Sequence, residues 1–274
     1  MGQIIYNLQD MTYLNWAKAR NSSGTAGSFL KAYEDTPNGK IYYKLSNYDA
    51  FRGIIGHECV NEIISDRLLT LLGIEHLPYQ LIHAKIHVDD KPLETWLCAS
   101  RDFKQRGDTK IALDAYYQAE RNPGESPLEF CIRSGWERSI YEMLVVDYLI
   151  LNRDRHGANM EVLRNRYQKT VRLAPLFDHG LSFFCRCEDE TALEKEDVMA
   201  DKPVQCFVGS RSAESNLQLI PAGKFPELRP LQKNGLHSLV TGLDAVIGQR
   251  WLDRILEMIW KRWQSYENFC NQRR

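Results

Sequence analysis

Side chains suited to phosphate chemistry fall within one eight-residue stretch, Asn152-Arg-Asp-Arg-His-Gly-Ala-Asn159. Asp154 and Asn159 stand five positions apart, with His156 between them. Nineteen residues beyond Asn159 comes Asp178, in Leu176-Phe-Asp-His-Gly180. Phosphoryl transfer from ATP needs few protein groups. A carboxylate orients the attacking hydroxyl, while an amide oxygen and a second carboxylate hold Mg²⁺ against the phosphates. In kinase folds the first two come from one short loop, and the last from a strand end followed by glycine. The pattern predicts Asp154 as the catalytic carboxylate, with Asn159 and Asp178 as metal ligands. Apolar runs precede both motifs, Leu144–Leu151 and Leu173–Phe177, and would bury the backbone that aims these side chains.

The chemical rival is a zinc centre built from Asp154, His156 and His179. Zinc sites usually recruit three or four soft ligands. No cysteine pair or His-Glu-x-x-His helix stands near this stretch.

A kinase also needs groups that hold the nucleotide. Small residues crowd Asn21-Ser-Ser-Gly-Thr-Ala-Gly-Ser28, where backbone N–H groups could approach phosphates closely. Ser23, Gly24, Thr25, Gly27 and Ser28 are the candidates there; the alternative is a plain Ser/Gly linker. Lys44 alternates with Tyr43 and Leu45 on the strand that follows and is placed to reach the α- and β-phosphates, with Lys31 next in line. The helix after it offers Glu58 and Glu62, one turn apart on one face. Glu62 is the expected partner of Lys44, and Arg67 or Asp66 could compete for either carboxylate.

These side chains need elements to position them. Phe29–Tyr33 and Lys40–Leu45 read as a hairpin around Thr36-Pro-Asn-Gly39. His57–Leu72 carries apolar residues at three- and four-residue spacing, and Gly73 stops it. Gln80–Val88 and Thr95–Ala99 are strand-like, separated by Asp89-Asp-Lys-Pro92. A hinge near Ala99–Ser100 puts Ala99 at the nucleotide. Residues 1–20 are mixed and poorly periodic, and 104–127 polar and turn-rich. One helical stretch over Leu128–Leu151 is predicted to run into the Asp154 loop, and the charged 187–202 segment to be weakly structured. In the helical last forty residues, Leu252, Ile255, Ile259 and Trp263 form one apolar stripe facing a core. The expected class is α+β, a bilobal protein-kinase-like fold: a β-rich small lobe over 1–100 and a larger helical lobe over 101–274.

Composition excludes several other classes. The 274 residues are 43% hydrophobic and 26% charged, with a net charge of −1, giving no reason to expect a nucleic-acid or membrane partner. No apolar stretch has the length of a membrane span, and the N-terminus lacks signal-peptide features. Seven scattered cysteines suit a reduced, cytoplasmic protein, although secretion as an effector stays open.

The order Asp-x-His-x-x-Asn followed by Leu173-Ala-Pro-Leu-Phe-Asp178 resembles the bacterial HipA-like serine/threonine kinases. Asn61-Glu62, Arg67-Leu68 and Gly73-Ile74 are similar to their small-lobe helix. The catalytic motif is also similar to that of the distantly related phosphatidylinositol kinases. The resemblance spans about residues 20–185 and is nearest to short, free-standing HipA-like members. It implies ATP and Mg²⁺ as cofactors and a protein Ser/Thr acceptor. It implies Asp154 as the catalytic aspartate and His156 as orienting the loop or stabilising the transferred phosphate. Autophosphorylation among Ser22, Ser23, Thr25 and Ser28 is a further implication. An antitoxin or host-protein partner cannot be read from the chain. The alternatives are a phosphatidylinositol or small-molecule kinase, and a nucleotide-binding pseudokinase acting as an interaction module. The acidic stretch from Glu188 to Asp197 would repel anionic headgroups and disfavours the lipid acceptor.

Overall fold

The computed structural model describes residues 2–18 and 29–273. Within them, β1 (Gln3–Asp10) and β2 (Ala17–Lys18) precede the hairpin β3 (Leu30–Thr36) and β4 (Gly39–Leu45). A small hairpin, β5 (Tyr48–Asp49) and β6 (Gly53–Ile54), leads into α1 (Glu58–Leu72). Two long strands follow, β7 (Tyr79–Val88) and β8 (Lys91–Arg101). They turn through Asp89 and Asp90, both at positive φ, the twist that a two-residue hairpin between right-twisted strands requires. The sheet order is β1-β7-β8-β4-β3-β2. Strand β1 pairs in parallel with β7, so the poorly periodic N-terminus is a strand. Most of its residues are exposed or half-buried, and without a buried face there was no alternation to read.

The predicted helix α1 forms as expected and ends at Gly73, φ 77°. Thirteen of its fifteen residues are buried, because the sheet covers one side and the larger lobe the other. Ile63, Ile64, Leu68 and Leu69 are fully buried, each contributing about 1.5–3 kcal/mol over exposure. That fixes the helix firmly enough to carry buried polar groups. Arg67 donates to the carbonyls of Gly2, Leu239 and Thr241. Asp66 accepts from the Tyr79 N–H and pairs with His76. Neither therefore interferes with the Glu58 and Glu62 carboxylates.

Beyond the sheet, β9 (Asp108–Ala112) and α2 (Leu113–Glu120) occupy much of the stretch read as polar and turn-rich. Their apolar positions are few, and β9 gains its order by pairing with a strand some fifty residues further on. The single helix expected over 128–151 is two, α3 (Pro127–Arg133) and α4 (Glu137–Ile150). Gly135 breaks them at φ 81°, a backbone angle no helix interior adopts. Ser126 and Glu129 cap α3 reciprocally. Then come β10 (Asp154–Arg155), β11 (Glu161–Asn165), β12 (Thr170–Leu173), α5 (Glu190–Glu194), β13 (Gln205–Cys206), α6 (Ala213–Leu217) and α7 (Gln249–Gln272). The stripe Leu252, Ile255, Ile259 and Trp263 on α7 is buried, and α7 packs on α4. One hydrophobic cluster runs from α1 through α4 to α7, and a smaller one fills the other face of the sheet. Among the described residues, no helix is long and apolar enough to cross a membrane.

Candidate active site

Lys44 projects from β4 and Glu62 from α1, and they meet: Lys44 Nζ lies 2.8 Å from Glu62 Oε1. Lys44 also pairs with Asp178 Oδ1, 134 positions later in the chain. The second oxygen of Glu62 accepts the His179 N–H at 2.8 Å. One buried carboxylate thus ties the lysine of the small lobe to the loop of the large one. Glu58, the other candidate, accepts the Asn47 N–H instead. Burial opposes the charge of Lys44, yet Asp178 and Glu62 outweigh it and raise its pKa well above the ordinary value. Burial likewise pushes Asp178 up, but Lys44, Lys31 and Arg155 hold its carboxyl below the usual range. Asp178 is ionised at neutral pH. Lys31 lies directly across the hairpin from Lys44, and burial followed by the Lys44 charge lowers its pKa.

The loop around Asp178 is shaped by close approach. Asp178 is left-handed, φ 59°, at a cost of about 1–2 kcal/mol. Its N–H donates to the Tyr79 hydroxyl at 3.2 Å, and Asn61 Nδ2 donates to the carbonyls of Gly180 and Ser182. A Cβ on Gly180 would sit 3.1 Å from that of Glu58, which accounts for glycine there. The His179 ring is buried, and desolvation with the Arg155 charge depresses its pKa well below the ordinary value. It is a neutral packing group, turned towards Glu62 at 3.9 Å. His179, His156 and Asp154 therefore do not converge on one point. Among the described residues, no three His, Cys, Asp or Glu groups are placed to hold a metal by themselves.

Asp154 and Asn159 face each other across their loop. Asn159 Nδ2 donates to the Asp154 carbonyl at 2.8 Å and to its Oδ2 at 3.3 Å. This leaves the Asn159 amide oxygen without a hydrogen bond from any described residue. The Asp154 N–H donates to Asn152, and His156 Nε2 stands 3.6 Å from Asp154 Oδ1. His156 Nδ1 accepts the Ala158 N–H at 3.1 Å, so its evident task is to hold the turn. Burial, then the neighbouring charge of Asp178, raises the pKa of Asp154 against the opposing effect of His156. The loop is pinned from outside by β10 pairing with β13. A Cβ on Gly157 would come within 2.6 Å of the Asp114 Cβ on α2.

Arg155 and Asp147 were missed as positioning residues. Arg155 is 1% exposed; it grips the Asp147 carboxylate and donates to the Phe177 carbonyl at 2.9 Å. Asn152 Nδ2 donates to the same Asp147 at 2.9 Å. The available signal was Asp147 inside the apolar run 144–151, since a buried carboxylate demands a cation. Ala99 is buried within β8, opposite Tyr43 and Gln80, two residues before the strand ends. Ser23, Gly24, Thr25, Gly27 and Ser28 lie outside the described residues.

No protein-family model and no curated protein sequence matches the chain. Among solved structures, the Helicobacter pylori proinflammatory kinase CtkA superposes with a TM-score of 0.61 at 16% identity, over 92% of this chain and 93% of that one. The chain shares the fold of that kinase. A structure of HipA with HipB and operator DNA from Shewanella oneidensis MR-1 also aligns, at 13% identity over 94% of this chain and 60% of that one. Its TM-score of 0.40 carries no weight. At such identities the shared kinase fold is the extent of the likeness, and the chemistry must be argued from the side chains above.

Proposed function

We propose that the chain is an ATP- and Mg²⁺-dependent protein serine/threonine kinase. The observation that carries this reading is the Lys44 ammonium held between Glu62 and Asp178, with Asp178 near enough for its charge to act on Asp154. Residues 1–100 would supply Lys44 and Glu62, and 101–274 the rest. The donor set suits Mg²⁺: an ionised Asp178 and a free Asn159 amide oxygen are hard ligands, and Mg²⁺ takes one or two such protein groups together with substrate phosphates. When bound, the ion would neutralise charge on the β- and γ-phosphates.

The residues divide the remaining work. Lys44, fully protonated, presents a fixed positive charge to the α- and β-phosphates, and Glu62 keeps it aimed. Asp154 accepts a hydrogen bond from the substrate hydroxyl and then its proton as that oxygen bonds to the γ-phosphorus. Meanwhile the bond from the γ-phosphorus to the β,γ-bridging oxygen breaks and ADP leaves. The raised pKa of Asp154 makes it a better acceptor than a solvated aspartate. Asn159 and the His156 turn fix the carboxylate, so that its orientation needs no reorganisation. The acidic 188–197 segment favours a protein acceptor over an anionic lipid.

The test is incubation with γ-labelled ATP and Mg²⁺, alone and with generic protein and phosphatidylinositol acceptors. Label in protein that vanishes in Asp154→Asn supports the reading. Label confined to lipid replaces it with the lipid-kinase alternative. No label, with nucleotide still bound, leaves a pseudokinase. Label on the chain itself is expected within 21–28, which phosphopeptide mapping reads directly.

A further inference from the structure

A cavity of about 720 Å³ opens beside the N-terminal end of α1, in the range of pockets that hold small ligands. Its walls come from both lobes: the β5–β6 hairpin and the start of α1 on one side, the 185–188 segment and the start of α7 on the other. Trp251, Val60 and Ile247 give it apolar walls. Arg52 and Arg186 stand at its rim, and His57 lies deeper, its ring 4.5 Å from that of Trp251. The His57 Nε2 is buried with no hydrogen-bond partner among the described residues. A neutral imidazole with its proton there can donate.

Charge at the cavity is lopsided. Glu188 is the lining carboxylate, 4.0 Å from Arg52. Arg186 forms no ion pair with a described residue, and it lies near a second cation, Arg153, whose pKa is lowered first by burial and then by the Arg186 charge. Two arginines and an orphaned imidazole around an aromatic wall call for an anion with an apolar body. Cys59, which also lines the cavity, donates its N–H to Ser46 and its thiol to the Lys44 carbonyl. The wall is thus bonded to the strand that carries Lys44, one helical turn from Glu62.

We propose that this cavity is a regulatory site for a small aryl or alkyl oxyanion, a carboxylate or phosphate ester. By bridging Arg52 and His57 to Arg186 and Trp251, its occupant holds the lobes together with the Lys44–Glu62–Asp178 contacts formed. The regulatory half rests on the kinase reading; the binding half does not.

The binding test uses anilinonaphthalene sulfonate, an aryl oxyanion whose emission rises in apolar pockets. One saturable site is expected, displaced by phenyl phosphate and benzoate but not by phenol. The tighter of the two displacers names the head group. Arg186→Ala, at an exposed position, should weaken binding by about tenfold, the worth of one charge-assisted hydrogen bond, and Arg186→Lys should restore part of it. Equal displacement by phenol, or indifference to Arg186→Ala, overturns the site. For regulation, saturating phenyl phosphate should tighten binding of a non-hydrolysable ATP analogue by about fivefold or more, as is usual for coupled sites. Unchanged analogue affinity removes the regulatory half. An analogue that never binds, while the sulfonate does, sinks the kinase reading and leaves the cavity assignment standing.

Discussion

Arg155 and Asp147 are joined by two hydrogen bonds, 2.9 Å and 3.0 Å long, in the interior between α4 and the loop that carries Asp154. The same guanidinium reaches the Phe177 carbonyl, one residue before Asp178. A single buried cation therefore sets the spacing between the loop that carries Asp154 and the loop that carries Asp178. Burial alone would disfavour its charge, but Asp147 overcomes this and raises the Arg155 pKa.

Removing one partner should unfold more than it loosens. Asp147→Ala leaves a buried guanidinium unpaired, at an expected cost of about 3–5 kcal/mol. The double change Asp147→Leu with Arg155→Met should cost much less, because no buried charge remains. Urea denaturation of both proteins measures this, and a double variant as unstable as the single one would contradict it.

Asp154→Asn keeps shape and the contact with Asn159 but removes the proton acceptor. Turnover should fall by several orders of magnitude with little change in melting temperature. Because the Asp154 pKa is raised, the acid limb of the rate profile should lie above the ordinary carboxylate range. Activity is retained while Asp154 is ionised and lost as pH falls through that raised value. A limb at or below the range of a solvated aspartate would count against Asp154.

Lys44→Ala should weaken an ATP analogue by one or two decades, since a charge-assisted contact contributes about 1.5–3 kcal/mol. Glu62→Gln should weaken it less, because the lysine remains but is aimed by fewer partners. Calorimetric titration of the three proteins orders them. If Lys31→Ala has the larger effect, Lys31 is the phosphate lysine.

His57 offers a stability test. Burial lowers its pKa from 6.5 to about 4, so the folded chain favours the neutral ring. That preference is fully present above the unfolded value near 6.5 and is lost as pH falls towards 4. It is worth on the order of 2–3 kcal/mol after allowance for partial exposure. His57→Leu should therefore flatten the loss of stability between those two pH values, measured as the urea midpoint against the parent chain. An unchanged slope would place His57 in solvent.

The sequence by itself determined the elements whose order is local. The α1 periodicity with its Gly73 stop, the two hairpins and the apolar α7 stripe were legible, because each element buries a face that repeats at its own period. The Asp154–Asn159 spacing and its distance from Asp178 were legible because these groups sit in two short loops close in sequence, although Asp178 lies in a loop five residues beyond β12 and not at a strand end. The sequence pointed to Glu62 over Glu58, and tertiary structure settled the choice. Both lie on one face of α1, and the placement of Lys44 and the His179 N–H around Glu62 tells them apart. It also made a strand of β1 and of β9, whose residues show little pattern until a distant partner supplies hydrogen bonds. Arg155 reads in the sequence as one more charge in a polar turn. What makes it a structural centre is its burial against Asp147, a contact fixed by the packing of the Asp154 loop on α4.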